Sequence, residues 1–188
     1  MNIQRAVFSC NHPRAGTVLR RQTVHVADES LPFPGSCRGR LLVATPPLDD
    51  PNFDRTVIYV LQHDADGAVG VVVNRPTALR LPDVVERWQD LLCAPAVVFE
   101  GGPVETSALI ALARRDGDVD SLDLEEDPAI ESAGTEAVRV FRGYSGWGEM
   151  QLDGEITAGA WMVFDALPSD LFDPEPDELW RTVIRRQG

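Results

Sequence analysis

The chain contains no lysine: all 17 of its basic residues are arginines. No Schiff-base lysine, phosphate-loop lysine or lysine general base can therefore operate in it. Cysteine is scarce, with Cys10, Cys37 and Cys93 far apart and odd in number. Without a C-x-x-C, neither a zinc knuckle nor a thioredoxin-type redox pair can form, and reduced thiols in a reducing compartment are the expectation. Histidine is as rare. His12, His25 and His63 form no H-x-x-x-H pair, so the helical two-histidine metal site is excluded. His63, alone beside a turn, reads as a surface or hydrogen-bonded residue. No metal and no cofactor is expected. Long apolar runs are missing too: none approaches the roughly 18 residues of a membrane span. The N-terminus lacks the apolar stretch of a secretory signal. A soluble, cytoplasmic chain without membrane contact is the default expectation.

What is present suits one folded domain. The chain has 188 residues, 44% hydrophobic and 25% charged, enough for a full-sized core. A lysine-free chain rich in Arg, Ala, Asp and Val is also what a GC-rich bacterial genome encodes. The charge is uneven. Residues 1–40 carry six Arg against Asp28 and Glu29, a balance of +4, and residues 41–188 carry eleven Arg against 28 acids, a balance of −17, which together give the net −13. So acidic a body repels a phosphate backbone, and no direct duplex DNA binding by it is expected.

Residues 1–36 read as a basic, disordered arm, broken by Pro13, Pro32 and Pro34. Arg5, Arg14, Arg20 and Arg21 in an acid-free stretch also fit an organelle transit peptide, or an arm for a nucleic acid or partner. Residues 37–188 form the domain, with ordered structure from about Gly39. Strands are expected over 40–45, 96–99, 108–113, 137–142 and 161–164, with a ragged one among Val119, Leu122 and Leu124. Residues 55–62 and 68–73 flank the turn Asp64-Ala65-Asp66-Gly67 as a hairpin, and the nearly all-apolar return strand reads as central. Helices are expected over 82–92, where Val84, Val85, Trp88, Leu91 and Leu92 share a face, and over 151–158 and 176–186.

Three motifs fall short of the chemistry they suggest. Gly143-Tyr144-Ser145-Gly146-Trp147 resembles a nucleophile elbow, but Trp147 stands where the tight turn needs glycine, and no histidine follows Ser145 to act as base. Asp116-Gly117-Asp118-Val119-Asp120 begins like a calcium loop, but Ser121 replaces the turn glycine and Asp127 the closing glutamate, which leaves a solvated acidic loop. Glu100-Gly101-Gly102-Pro103 follows a buried strand, so its bare N–H groups can face an anion; a plain tight turn is the alternative. No catalytic residues emerge. The candidate ligand-binding set is Asn74, Arg75, Gly101, Gly102, Tyr144, Trp147, Gln151 and Glu155. In it Arg75 grips a carboxylate or phosphate, the two aromatics form an apolar wall, and Gln151 and Glu155, four apart on one helix face, form a polar rim.

The residues also resemble a family. The run Gly39-Arg40-Leu41-Leu42-Val43-Ala44-Thr45-Pro46, then Leu48, Asp50-Pro51-Asn52-Phe53 and Arg55-Thr56-Val57, is similar to the opening of the AlgH/YqgE family. So are His63, Gly67-Ala68-Val69-Gly70, Asn74-Arg75-Pro76, Phe99-Glu100-Gly101-Gly102-Pro103-Val104, Gly143-Tyr144-Ser145-Gly146-Trp147-Gly148 with Gln151-Leu152 and Glu155, Gly159-Ala160-Trp161, Leu171-Phe172 and Trp180. Asp153, in place of the usual Glu, and Glu149-Met150 depart from the pattern. The resemblance implies an α+β protein: one compact domain with a mixed, partly barrel-like β-sheet flanked by helices. It implies a transcriptional-regulator label without an agreed activity or cofactor. It leaves open a regulatory or binding module without catalysis, a small-anion-binding protein or enzyme using a pocket around Arg75, Gly101-Gly102 and Trp147, or a component that works only with a protein partner.

Overall fold

The computed structural model describes residues 35–46, 53–79 and 83–186. All but the last two residues of the expected arm lie outside them, as do Leu48, Asp50-Pro51-Asn52 and Pro82. Ordered structure starts before Gly39: the Ser36 hydroxyl donates to the His63 carbonyl at 2.9 Å, and the Cys37 N–H donates to His63 Nδ1 at 3.0 Å.

Among the described residues, eight strands form one open sheet. They are β1 (Arg40–Ala44), β2 (Val57–Asp64), β3 (Gly67–Val72), β4 (Val98–Glu100), β5 (Val104–Arg115), β6 (Asp118–Leu122), β7 (Thr135–Trp147) and β8 (Trp161–Asp165). The order is β6-β5-β7-β3-β2-β1-β8, with β4 also paired to β7. Among the named strands of the described residues only the β4–β7 pairing is parallel, so the sheet is mixed, as expected. β3 is central, between β2 and β7, and its side chains pack on both faces of the sheet.

Alternation along the strands makes three apolar layers. Leu41, Val43, Val57, Leu61, Val71, Phe99, Leu112 and Phe141 share the inner face, closed by α4 (Pro168–Leu171) and α5 (Leu179–Arg185) through Leu171, Leu179 and Val183. On the reverse of one half, Leu42, Ile58, Val60, Val72 and Trp147 meet Leu152 of α3 (Gln151–Thr157). On the reverse of the other half, Val98, Ala111, Val138 and Val140 meet Val85 and Trp88 at α1 (Asp83–Glu86). A four-residue α2 (Pro128–Glu131), capped by the Asp127 side chain, leads into β7. The terminal helices are clamped by Asp170, which is 5% exposed, caps the Leu167 N–H, and receives Arg186 in two hydrogen bonds of 3.0 and 2.9 Å. The Trp180 indole donates to the Ala44 carbonyl of β1 at 2.9 Å.

Three elements differ from expectation. The helix over 82–92 shrinks to α1 and a 3₁₀ turn (Gln89–Leu91). Trp88 N–H bonds to Val85 and Leu91 N–H to Trp88, both three residues back, because Val85, Trp88 and Leu91 repeat at the three-residue period of a 3₁₀ helix. The acidic segment is a hairpin rather than a loop. Asp116 and Gly117 both take positive φ, 49° and 87°, the conformation a two-residue hairpin turn requires. Asp118 and Asp120, both exposed, then protect the β6 edge. Finally, the strand expected over 137–142 runs on through Gly143 to Trp147. This extension is the second half of β7, paired with Ala68, Val69 and Gly70 of β3.

That pairing depends on glycine. A Cβ on Gly101 would strike the Gly143 carbonyl, one on Gly102 the Tyr144 carbonyl, and one on Gly143 the Gly102 carbonyl. Gly154, inside α3, has open space around its missing side chain. Gly101→Ala should therefore lower stability by about 2–3 kcal/mol, whereas Gly154→Ala should raise it by about 0.5–1 kcal/mol. Urea titration of both variants checks the opposite signs.

Candidate functional site

The most concentrated polar arrangement centres on one carboxylate. Glu155 Oε2 accepts from the indole N–H of Trp147 at 2.9 Å and from that of Trp161 at 2.8 Å, while Oε1 accepts from Gln151 Nε2 at 3.0 Å. Gln151 Oε1 in turn accepts the Gly148 N–H at 3.0 Å. The two indoles meet edge to face, with centroids 6.0 Å apart, and Phe53 stacks edge to face on Trp161 at 5.5 Å. The local chain sets this up. α3 places Gln151 and Glu155 one turn apart on the same face. β7 brings Trp147 and β8 brings Trp161 to that face, both nearly fully buried. Buried indole N–H groups need acceptors, and one ionised carboxylate has oxygen enough for three donors. Gln151 and Glu155 were expected as a rim for a ligand; here they complete a bonded set with Trp147. Trp161 belongs to this set and was outside the sequence-based candidates. Its presence in the Gly159-Ala160-Trp161 block was the available signal.

The other candidates gather about the end of β3. Asn74 Oδ1 accepts the Val57 N–H at 2.9 Å, and its Nδ2 donates to the Arg55 carbonyl at 2.9 Å, holding the turn in which Arg55 takes a φ of 51°. Arg75 donates from Nη2 to the Asp54 carbonyl at 3.3 Å, and its own carbonyl accepts the Glu100 N–H at 2.8 Å. The N–H of Gly101 donates to the Arg142 carbonyl at 2.8 Å, and its carbonyl accepts from the Val72 N–H at 2.9 Å and the Ser145 hydroxyl at 3.3 Å. So Asn74, Arg75, Gly101 and Gly102 are neighbours, as the sequence suggested, but the Gly101 N–H expected to face an anion is used inside the sheet. Ser145 is buried, with its hydroxyl directed to that carbonyl.

The sheet divides the eight residues between its two faces. Tyr144 packs against the inner layer with Phe141, and Trp147 lies in the layer on the opposite side. The two aromatics three positions apart on a strand cannot form one wall. A cavity of about 50 Å³ does exist, between Arg38-Gly39, Tyr59-Val60-Leu61, Leu112 and Val119. None of the eight candidates lines it. It is large enough for a few water molecules, and burial there pushes the Tyr59 hydroxyl pKa up.

His63 is not at the surface. It is 4% exposed; Nδ1 accepts from the Cys37 N–H at 3.0 Å and Nε2 lies 3.3 Å from Asp153 Oδ2. An Nδ1 that accepts leaves the ring proton on Nε2, aimed at Asp153. Both ring nitrogens thus have protein partners. This is the hydrogen-bonded role that the sequence allowed, tying residue 37 and α3 to β2. Among the described residues no group of three or more His, Cys, Asp or Glu is placed to hold a metal ion, and no helix is long and apolar enough to cross a membrane.

Comparison with known proteins places these features in a family. The family model described as AlgH-like matches residues 41–188. A UPF0301 protein of Streptomyces coelicolor is 44% identical over 168 residues, covering 81% of this chain and 87% of that protein. A UPF0301 protein of Rhodococcus opacus is 40% identical over 164 residues, covering 79% and 82%. Among solved structures, the AlgH protein of Pseudomonas aeruginosa has a TM-score of 0.64 at 30% identity, covering 85% of this chain and 93% of that one. A crystal structure of a Corynebacterium diphtheriae protein has a TM-score of 0.75 at 25% identity, covering 86% and 91%.

The geometry around Glu155 gives a direct test. Glu155→Ala strands two buried indole N–H groups and should cost about 2–4 kcal/mol. Trp161→Phe in that background removes one stranded donor, so the double variant should lose less than the sum of the single losses. A thermodynamic cycle by denaturant unfolding measures the coupling.

Proposed function

The chain belongs to the AlgH-like family, and on that premise we propose that it is a regulatory binding module that recognises a protein partner and carries out no reaction itself. One observation carries this reading: the polar side chains in its distinctive motifs are bonded to the chain's own groups. Asn74 holds the Arg55 turn, Gln151 and Glu155 hold the Trp147–Trp161 pair, and His63 holds Cys37 and Asp153. A catalytic base or nucleophile needs a reacting atom within reach and a free lone pair to use on it. In this chain those groups are engaged in holding the fold. Regulation, including regulation of transcription, then passes through a partner, because a body with a charge of −17 over residues 41–188 disfavours contact with duplex DNA. The domain proposed to do this spans residues 37–188, with the basic segment 1–36 before it.

A second reading rests on Arg75. Arg75 is half-buried, and its hydrogen bond to the Asp54 carbonyl is long, 3.3 Å. In that reading Arg75 takes a small carboxylate or phosphate ligand. One experiment separates the two. After mild purification, native mass spectrometry of the full chain should find it with a co-purifying protein. A small adduct instead, absent from Arg75→Ala, would favour the anion, and phosphate or a carboxylated metabolite should then raise the melting temperature of the wild type but not of that variant. A chain that carries neither, and whose melting temperature no such ligand moves, would contradict both readings.

A further inference from the structure

Arg139 is the least expected buried residue in the molecule. β7 carries it to the inner face, where it is 1% exposed and its guanidinium carbon lies 4.2 Å from the Phe99 ring centroid. A guanidinium so buried needs a counter-charge or a full set of acceptors. Among the described residues no carboxylate lies within ion-pair distance of it. Burial pushes its pKa down, opposed by the Cys93 sulfur and, at longer range, Asp173. What the guanidinium does grip is sulfur. Nε and Nη2 both donate to Cys93 Sγ, at 3.2 and 3.0 Å, and Nη2 also donates to the Ala94 carbonyl at 2.6 Å. Nη1 is buried with no hydrogen-bond partner. Cys93 itself is half-buried, with its thiol directed to the Val138 carbonyl at 3.3 Å.

A sulfur atom is a weak acceptor, so the two-pronged grip falls on a group poorly suited to it. An oxyacid of that sulfur suits it well: its oxygens are strong acceptors, and an anionic one supplies the missing charge. We propose that Cys93 is a site of oxidation by a hydroperoxide, with the Arg139 guanidinium as the built-in receptor for the oxidised sulfur. In the first step a sulfur lone pair attacks one peroxide oxygen and the S–O bond forms as the O–O bond breaks. The departing hydroxide takes the thiol proton and leaves as water. Sulfur loses two electrons, the peroxide gains them, and the product is the sulfenic acid. A second peroxide molecule gives the sulfinic acid, which ionises and pairs with Arg139. Cys37 provides the contrast within the same chain. It is 5% exposed, among the described residues no guanidinium hydrogen-bonds to its sulfur, and burial pushes its thiol pKa up against the opposing charge of Arg40.

The test uses the full chain and hydrogen peroxide, with site-resolved peptide mass mapping and a sulfenate trap. Cys93 should gain one and then two oxygens about tenfold faster than Cys37, and Arg139→Gln should remove most of that advantage. Equal rates at the two cysteines, or a Cys93 rate unchanged in a folded Arg139→Gln, would overturn the proposal. Should Arg139→Gln fail to fold, Cys93→Asp decides, since it places a permanent anion where the sulfinate would sit. Its melting temperature should equal or exceed that of Cys93→Ser. A melting temperature several degrees below Cys93→Ser would show that Arg139 cannot receive an anion there.

Discussion

β7 has to satisfy two sets of neighbours with one backbone, and the rest of the molecule is arranged around how it does so. Its first part, up to Arg142, pairs with β5 on one side and β4 on the other. Its last part, Ser145 to Trp147, pairs with β3. Between them the chain changes course at Gly143, with a φ of 65°, and β5 answers with a bulge between Val104 and Leu109. Gly101 then bridges the gap, donating to Arg142 of β7 and accepting from Val72 of β3. The junction works because three glycine backbones meet where side chains would collide. It also turns the two halves of the sheet toward a shared inner layer, which gives the partly barrel-like form while leaving β6 and β8 as open edges.

The same constraint explains what could be read from the sequence. Strands rich in β-branched residues, such as those around Val57 and Val71, were legible because most of their residues are buried. The helix at Gln151 was legible from its amphipathic spacing. The second half of β7 was not. Gly143 and Gly146 lower its strand propensity, and what holds it extended is β3, about 75 residues earlier in the chain. The 82–92 helix misled for a related reason: positions that repeat every three or four residues fit both an α-helix and a tighter turn, and only the N–H partners distinguish them.

The candidate site was legible as a set of residues and not as a place. The motifs drew attention to Asn74, Gly101, Trp147, Gln151 and Glu155, each of which is bonded within the fold. Their joint use as a ligand pocket assumed that neighbours in motif space share a face of the sheet. The kink at Gly143 breaks simple alternation, so Phe141 and Tyr144 share the inner layer while Trp147 faces away. Residues far apart in sequence, Trp161 with Glu155 and Arg139 with Cys93, come together through strand register that no local pattern encodes. Polar residues in a family motif therefore need not mark chemistry. Here they answer the buried N–H and C=O groups that a bent, two-halved sheet creates.

The Gly101–Gly102 segment is a closed structural junction and not an open loop waiting for an anion. Native-state amide hydrogen exchange tests this at single residues. In a closed junction the Gly101 and Val72 amides should exchange only through global unfolding, with the same dependence on added denaturant as the core amide of Leu42. Rapid, denaturant-independent exchange at Gly101, with Leu42 still protected, would contradict it.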